Sequence, residues 1–305
     1  MTDGQEPVQE LEPISPTRGL ILTIGVFDGV HRGHRHLAHR VVRRARKRGC
    51  LGAVITFHPH PRAVLTGEGP SYLTTLDERL ARLHGLGLDV VTHLPFSAKL
   101  ARLSAFEFMA RICRHLRLRE LWVGYDFALG RRRQGTADRL AAIGEELGYR
   151  VYRVPPLTLR GQTVSSTRIR GLIHQGEVGR AAYLLGRPYR VGGEVIAVDR
   201  GGGRRPRPTA RVAVRRGLTL PAGGSYVSWA RLEREPSPKS ASVTAGLAGG
   251  EPQLEVRSPG LTEDAFGQAL QIEFIRRAQP GPRIAARIDA PPRRESAAAF
   301  EATVL

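Results

Sequence analysis

Cysteine, lysine, asparagine and long apolar runs are all scarce or missing from this 305-residue chain, and each shortage excludes something. Two cysteines, Cys50 and Cys113, cannot build a disulfide framework or a multi-cysteine zinc site. No apolar stretch approaches the ~20 residues of a membrane-spanning helix. The first twenty residues (MTDGQEPVQELEPISPTRGL) are acidic and polar, without the basic and apolar regions of a secretory signal. The expectation is a cytoplasmic protein with no membrane partner. Only Lys47, Lys99 and Lys239 are lysines, and asparagine is absent, so the net charge of +19 rests almost wholly on arginine. Arginine in place of lysine throughout reads as a composition bias and a solvated surface rather than a dedicated nucleic-acid surface. Few Asn, Cys and Met residues also fit avoidance of heat-labile side chains.

What is present is an α/β alternation. Residues 1–19 read as an acidic tail. From Leu20 to about Leu185, apolar strand candidates (residues 21–27, 50–57, 89–96, 120–127 and 149–157) alternate with helical stretches near 34–48, 75–84, 106–116, 137–147 and from Ser166 to His174. That order predicts a doubly wound, mostly parallel sheet. After LLGRPY (184–189) the pattern changes to short β-like runs, 192–198, 210–214, 224–232, 253–256 and 269–275, separated by Gly, Pro and Arg clusters. These predict a small antiparallel β-barrel over residues 186–278. A Pro/Arg/Ala-rich tail, 279–305, follows.

The stretch from Gly25 to His34 (GVFDGVHRGH) leaves the first strand and enters a helix. A helix N-terminus presents unpaired N–H groups and a positive dipole end, both favourable to phosphate. His31 and His34, three apart, can converge there and donate to phosphate oxygens as charge develops at phosphorus. Gly29 and Gly33 permit close approach, and a bulky residue at Gly33 should break the turn. A second helix start, Ser165-Ser166-Thr167-Arg168-Ile169-Arg170, joins capping hydroxyls to two guanidinium groups able to grip a triphosphate.

HxGH behind a strand resembles the nucleotidyltransferase superfamily, in which an SSTxIR segment late in the domain binds the ATP phosphates. Four further segments resemble, in the same order, the bacterial bifunctional riboflavin kinase/FAD synthetase family. They are TFHPHP (56–61), TTLDER (74–79), VGYDFALG (123–130) and the junction LLGRPYRVGGEV (184–195). The resemblance implies an FMN adenylyltransferase domain over 20–185. Its substrates would be ATP and FMN, with Mg²⁺ carried by ATP and no dedicated metal cage. It assigns His31 and His34 to catalysis and Gly25, Phe27, Asp28, Gly33, Ser165, Ser166, Thr167, Arg168 and Arg170 to ATP. His60, Asp126 and Phe127 fall to FMN.

The resemblance is looser after residue 195. Where the kinase barrel of the family has a Phe-Pro-Thr-Ala-Asn segment, this chain has Pro208-Thr209-Ala210-Arg211. Thr209 is retained, but a guanidinium replaces the Mg²⁺-binding asparagine and has no oxygen to offer a hard cation. The Asn-Pro-Thr loop of the family is replaced by 245–251 (AGLAGGE), and Glu255 best matches the base for the riboflavin hydroxyl. The expectation is a barrel that keeps its fold and loses riboflavin kinase activity. A fully bifunctional enzyme is the alternative, and a non-enzymatic flavin- or RNA-binding protein a second.

Overall fold

A computed structural model describes residues 18–201, 208–248, 251–259 and 261–278. The expectations for the N-terminal tail up to residue 17, for the interior of the Gly/Arg/Pro segment (202–207) and for the tail from 279 fall outside these residues. The α/β half and the barrel are both present as expected.

The chain runs β1 (Leu20–Gly25), α1 (Arg32–Arg48), β2 (Leu51–His58), α2 (Pro61–Thr66), α3 (Leu76–His84), β3 (Val90–Pro95), α4 (Ala98–Ala101), α5 (Ala105–His115) and β4 (Leu118–Gly124). A small ladder of β5 (Ala128–Leu129) with β6 (Gly135–Thr136) precedes α6 (Ala137–Leu147) and β7 (Arg150–Val154). A two-residue hairpin, β8 (Thr158–Leu159) with β9 (Gln162–Thr163), leads to α7 (Ser166–His174) and α8 (Val178–Leu185). The five main strands pair in parallel in the order β3-β2-β1-β4-β7. Because β1 is central and covered on both faces, its residues read as a continuous apolar run rather than an alternating one. Helices α1 and α3 cover one face, while α5 and α6 cover the other. The strand order reverses between β1 and β4, which run parallel, and this makes the C-terminal ends of those strands the expected ligand crevice.

The second half is a closed antiparallel barrel of β10 (Tyr189–Asp199), β11 (Thr209–Val214), β12 (Gly224–Leu232), β13 (Lys239–Ala248), β14 (Glu251–Arg257) and β15 (Ala269–Arg277), in the order β10-β11-β14-β13-β12-β15. It does not stand apart. Ile169, Leu172, Ile173, Val178, Ala181, Leu184 and Leu185 of α7 and α8 share one core with the barrel residues Tyr189, Tyr226, Ile272 and Phe274. The loop at Ser71–Tyr72 is also stitched to the barrel. Tyr72 N–H donates to the Gly217 carbonyl at 2.7 Å, and Thr219 N–H donates to the Tyr72 carbonyl at 2.8 Å.

Several local expectations are corrected. Helix α1 begins at Arg32 rather than His34, because the His31 side chain caps it. The HPHPRAV segment (58–64), which the sequence suggests is a loop, is not one throughout: Pro61–Thr66 form α2, with Pro61 in its first turn and the His60 imidazole as cap. The strand expected to reach Leu157 stops at Val154, where Pro155 and Pro156 remove ladder donors. Residues 245–248 and Glu251, expected as a loop, lie in β13 and β14: Ala248 pairs with Glu251, and Ala245, Gly246 and Leu247 pair with Leu254, Gln253 and Pro252.

Candidate active site

The turn leaving β1 is held in an uncommon backbone conformation. Phe27 (φ 50°) and Val30 (φ 40°) are non-glycine residues in the left-handed region, and Gly29 lies between them at φ 82°. A Cβ at Gly29 would come within 2.8 Å of Leu73 Cδ1, so glycine is required there for space as well as for conformation. Such a turn persists only when its surroundings over-determine it. The carbonyl of Val26 accepts from Thr56 Oγ1 at 2.7 Å and from Arg79 at 3.0 Å. Ser166 Oγ donates to the Asp28 carbonyl at 2.9 Å, and Arg187 Nη2 to the Gly29 carbonyl at 2.6 Å.

His31 closes the turn. Its Nδ1 accepts the His34 N–H at 3.2 Å, which places the ring proton of the neutral form on Nε2. The two imidazoles stack with centroids 3.6 Å apart, and Phe27 meets His34 edge-on at 5.1 Å. His31 is only 5% exposed. Burial, and then the Arg187 charge, lower its pKa to about 3. Burial, followed by His31 and the surrounding arginines, also takes His34 well below the usual histidine range. Both rings are therefore neutral donors near pH 7. Gly33 lies directly beneath this pair: a Cβ there would stand 3.1 Å from the His31 ring and 3.5 Å from the Val164 carbonyl.

That last contact brings in the second helix start. Ser165 caps α7 by accepting the Arg168 N–H at 3.3 Å, so the N-termini of α1 and α7 meet across Gly33–Val164 and Asp28–Ser166. Arg168 Nε is enclosed without a hydrogen-bond partner, and Thr167 is exposed beside it. Arg170 is engaged within the protein, donating from Nε to the Ser71 carbonyl at 2.7 Å and from Nη2 to Asp28 Oδ2 at 2.8 Å. Asp28, 1% exposed, also accepts the N–H groups of Leu73 at 3.0 Å and Thr74 at 3.2 Å. Its carboxylate thus ties the turn to α7 and to the loop that contacts the barrel. Asp28→Asn, which removes the charge but keeps the shape, is expected to cost about 1–3 kcal/mol of stability, measured by denaturant unfolding.

His60 belongs to the same neighbourhood. Its N–H donates to Tyr72 Oη at 2.7 Å, and burial, then the Arg170 charge, lower its pKa. Asp126 and Phe127 sit in the turn after β4, on the same sheet edge as His31. Asp126 is exposed and Phe127 packs against the sheet core. No hydrogen bond or ion pair among the described residues joins Asp126 to either histidine. Gly25 lies under the Phe27 ring, 3.1 Å from a Cβ position. In the barrel, Arg211 and Glu255 face each other across β11 and β14. Both are exposed, and Thr209 one pleat away accepts from Arg257 Nε at 3.3 Å.

Two residues escaped the sequence reading. Arg79 is fully buried, donating to Val26 and to the Phe57 carbonyl at 3.1 Å, with its Nη2 3.9 Å from Asp28 Oδ1. Arg187 reaches the turn from the interdomain junction. Each sits in a motif quoted above, but both bind backbone carbonyls from distant segments, for which sequence carries no residue-type signal.

Histidine pKa values this low make a statement about acid stability. The unfolded chain takes up protons near pH 6.5 that the folded His31 refuses until about pH 3. Stability is therefore complete above pH 6.5 and falls as pH drops through that window. For His31 the expected loss is about 2 kcal/mol at pH 5, with His34 adding in the same direction. Urea unfolding at pH 7 and pH 5 checks this. A His31→Gln protein should lose less on acidification than the wild type.

The parallel sheet, its crevice at the β1/β4 reversal and the paired helix starts define a nucleotide-binding α/β domain joined to a β-barrel. The FAD synthetase family matches residues 14–168 and the riboflavin kinase family matches residues 185–285. Bifunctional riboflavin kinase/FMN adenylyltransferase of Escherichia coli K12 is 33% identical over 275 residues, covering 89% of this chain and 88% of that protein. The Pseudomonas fluorescens protein of the same description is 34% identical over 272 residues, covering 88% and 87%. A solved structure described as a macrolide-efflux protein from Streptococcus pneumoniae superposes with a TM-score of 0.77 at 26% identity, covering 90% of this chain and 91% of that one. The chain belongs to the bifunctional riboflavin kinase/FMN adenylyltransferase family. Among its described residues no helix is long and apolar enough to cross a membrane.

Proposed function

We propose that the α/β half transfers the adenylyl group of ATP to FMN, giving FAD and pyrophosphate. A phosphate oxygen of FMN attacks the α-phosphorus in line, the bond from that phosphorus to the bridging oxygen breaks, and pyrophosphate leaves. The observation carrying this reading is the meeting of the α1 and α7 N-termini around two neutral imidazoles. His31, through Nε2–H, and His34 donate to phosphate oxygens as charge builds in the transition state. Ser165, Ser166, Thr167 and Arg168 receive the triphosphate, with Arg170 bridging that helix to Asp28. Gly25 and Phe27 shape the nucleotide pocket, and His60, Asp126 and Phe127 line the flavin side. The FMN phosphate is already ionised near neutral pH, so no general base is required. Among the described residues no three acidic, histidine or cysteine side chains group to hold a metal, and the buried Asp28 carboxylate is taken up by protein donors. That donor set suits Mg²⁺ arriving on the triphosphate.

For the barrel, the reading is that the kinase step is lost. Its support is that Arg211, a cation, stands opposite Glu255 where the resemblance implies a metal-binding amide. A second reading, a working kinase in which Arg211 grips phosphate, is favoured by Thr209 and Glu255 lying together on one face of the barrel. The deciding assay offers the purified chain Mg²⁺-ATP with FMN or with riboflavin and separates the flavins. FAD from FMN is expected. Absence of FAD while ATP still binds overturns the adenylyl-transfer reading.

A further inference from the structure

An open cavity of about 510 Å³ lies at the junction of the two halves, behind the histidine turn. Its walls carry Arg35 near the start of α1, Glu78 and Arg82 from α3, Arg187 and Arg190 from the junction, and Glu273 from β15. Four guanidinium groups thus face two carboxylates. Glu78 is already shared, its Oε1 accepting from Arg82 at 2.6 Å and from Arg190 at 3.0 Å. Glu273 is the cross-strand partner of Arg190. Arg187 donates only to the neutral carbonyls of Gly29 and Val30, its Nε has no hydrogen-bond partner, and no carboxylate among the described residues pairs with it. Burial, then the charge of Arg82, lowers its pKa to about 9. A cation in that position gains most from an added anion.

We propose that this cavity is a second anion site, taking a compact phosphate polyanion of the size of pyrophosphate. Several guanidinium groups converging from both halves suit bidentate capture of phosphate oxygens. Among the described residues no aromatic side chain lines the cavity, so a base or a flavin ring would find none of these to stack on. The volume is larger than one oxyanion needs and open to solvent. Arg187 also carries the two carbonyls that immediately precede His31, so an occupant would be felt at the turn without entering the nucleotide crevice. This site stands on its own geometry and does not depend on the adenylyl-transfer reading.

Equilibrium dialysis of the full-length protein against labelled pyrophosphate without divalent metal tests it, using a variant outside the machinery described above. Ala81 is exposed on α3 and lines the cavity, so Ala81→Glu places a fixed carboxylate in it without removing an ion pair. Pyrophosphate binding is expected to weaken at least about tenfold in Ala81→Glu. It should survive in the uncharged Ala81→Gln and in His34→Ala, and should not be displaced by AMP or FMN. Binding that is unchanged in Ala81→Glu, equally reduced in both Ala81 variants, lost with His34→Ala, displaced by AMP or FMN, or absent into the millimolar range overturns the proposal.

Discussion

Replacing His31 or His34 by alanine is expected to cut FAD formation from FMN about 10²–10³-fold in turnover, with a much smaller change in the affinity for ATP. Removing one preorganised donor aimed at developing charge has an effect of that size. Preorganisation is unusually complete here. The His31 ring is fixed by its cap on the His34 N–H, by the stacked His34 ring 3.6 Å away and by the close floor at Gly33. Depressed pKa values keep both rings neutral, so each presents a donor across the working pH range. The two substitutions should differ in stability. His31→Ala also removes the α1 cap, a loss of about 1 kcal/mol, whereas His34 caps nothing. Turnover and KM measured for each variant, beside urea unfolding, separate these effects. A rise in KM with turnover intact would move the histidines from transition-state stabilisation to ground-state binding.

Much of this site could be read before the fold was seen, and the reason is local. A strand, a turn with glycines and a helix start are encoded within ten consecutive residues, so Gly25 to His34 announced itself. Ser165 to Arg170 did so for the same reason. What stayed hidden depends on contacts between segments. Asp28 and Arg170 have the residue types of nucleotide ligands, yet they meet each other 142 positions apart and tie the turn to α7. Arg79 and Arg187 satisfy carbonyls from other segments, and any arginine on a helix or junction looks alike in sequence. The barrel was legible where its strands alternate strongly. Strand β13 does alternate, with Ala241, Val243 and Ala245 buried between the exposed Ser240, Ser242, Thr244 and Gly246, but its inward residues are mostly small, so its apolar signal in the sequence is weak.

Riboflavin with Mg²⁺-ATP is expected to yield FMN at a rate at least about 10²-fold below that of FAD formation from FMN, since phosphoryl transfer depends chiefly on positioning the transferred group and stabilising its charge. The reason lies in Arg211. It occupies β11 directly opposite Glu255, so a cation faces the residue that would have to accept the riboflavin proton. A guanidinium cannot ligate Mg²⁺, because it has no oxygen to offer the ion. Arg211→Asn alone should restore little activity, because residues 245–248 and Glu251, which stand where the family has its Asn-Pro-Thr loop, are paired in the ladder of β13 with β14. The comparison should be made in the full chain. Removing the barrel would expose Leu172, Ile173, Leu184 and Leu185, which share its core, and would release the Ser71–Tyr72 loop that leads into the donors to Asp28. Rapid FMN formation by the unmodified protein, abolished by Glu255→Ala, is the contrary result. It would mean that Arg211 serves the phosphates and that both activities of the family persist in this chain.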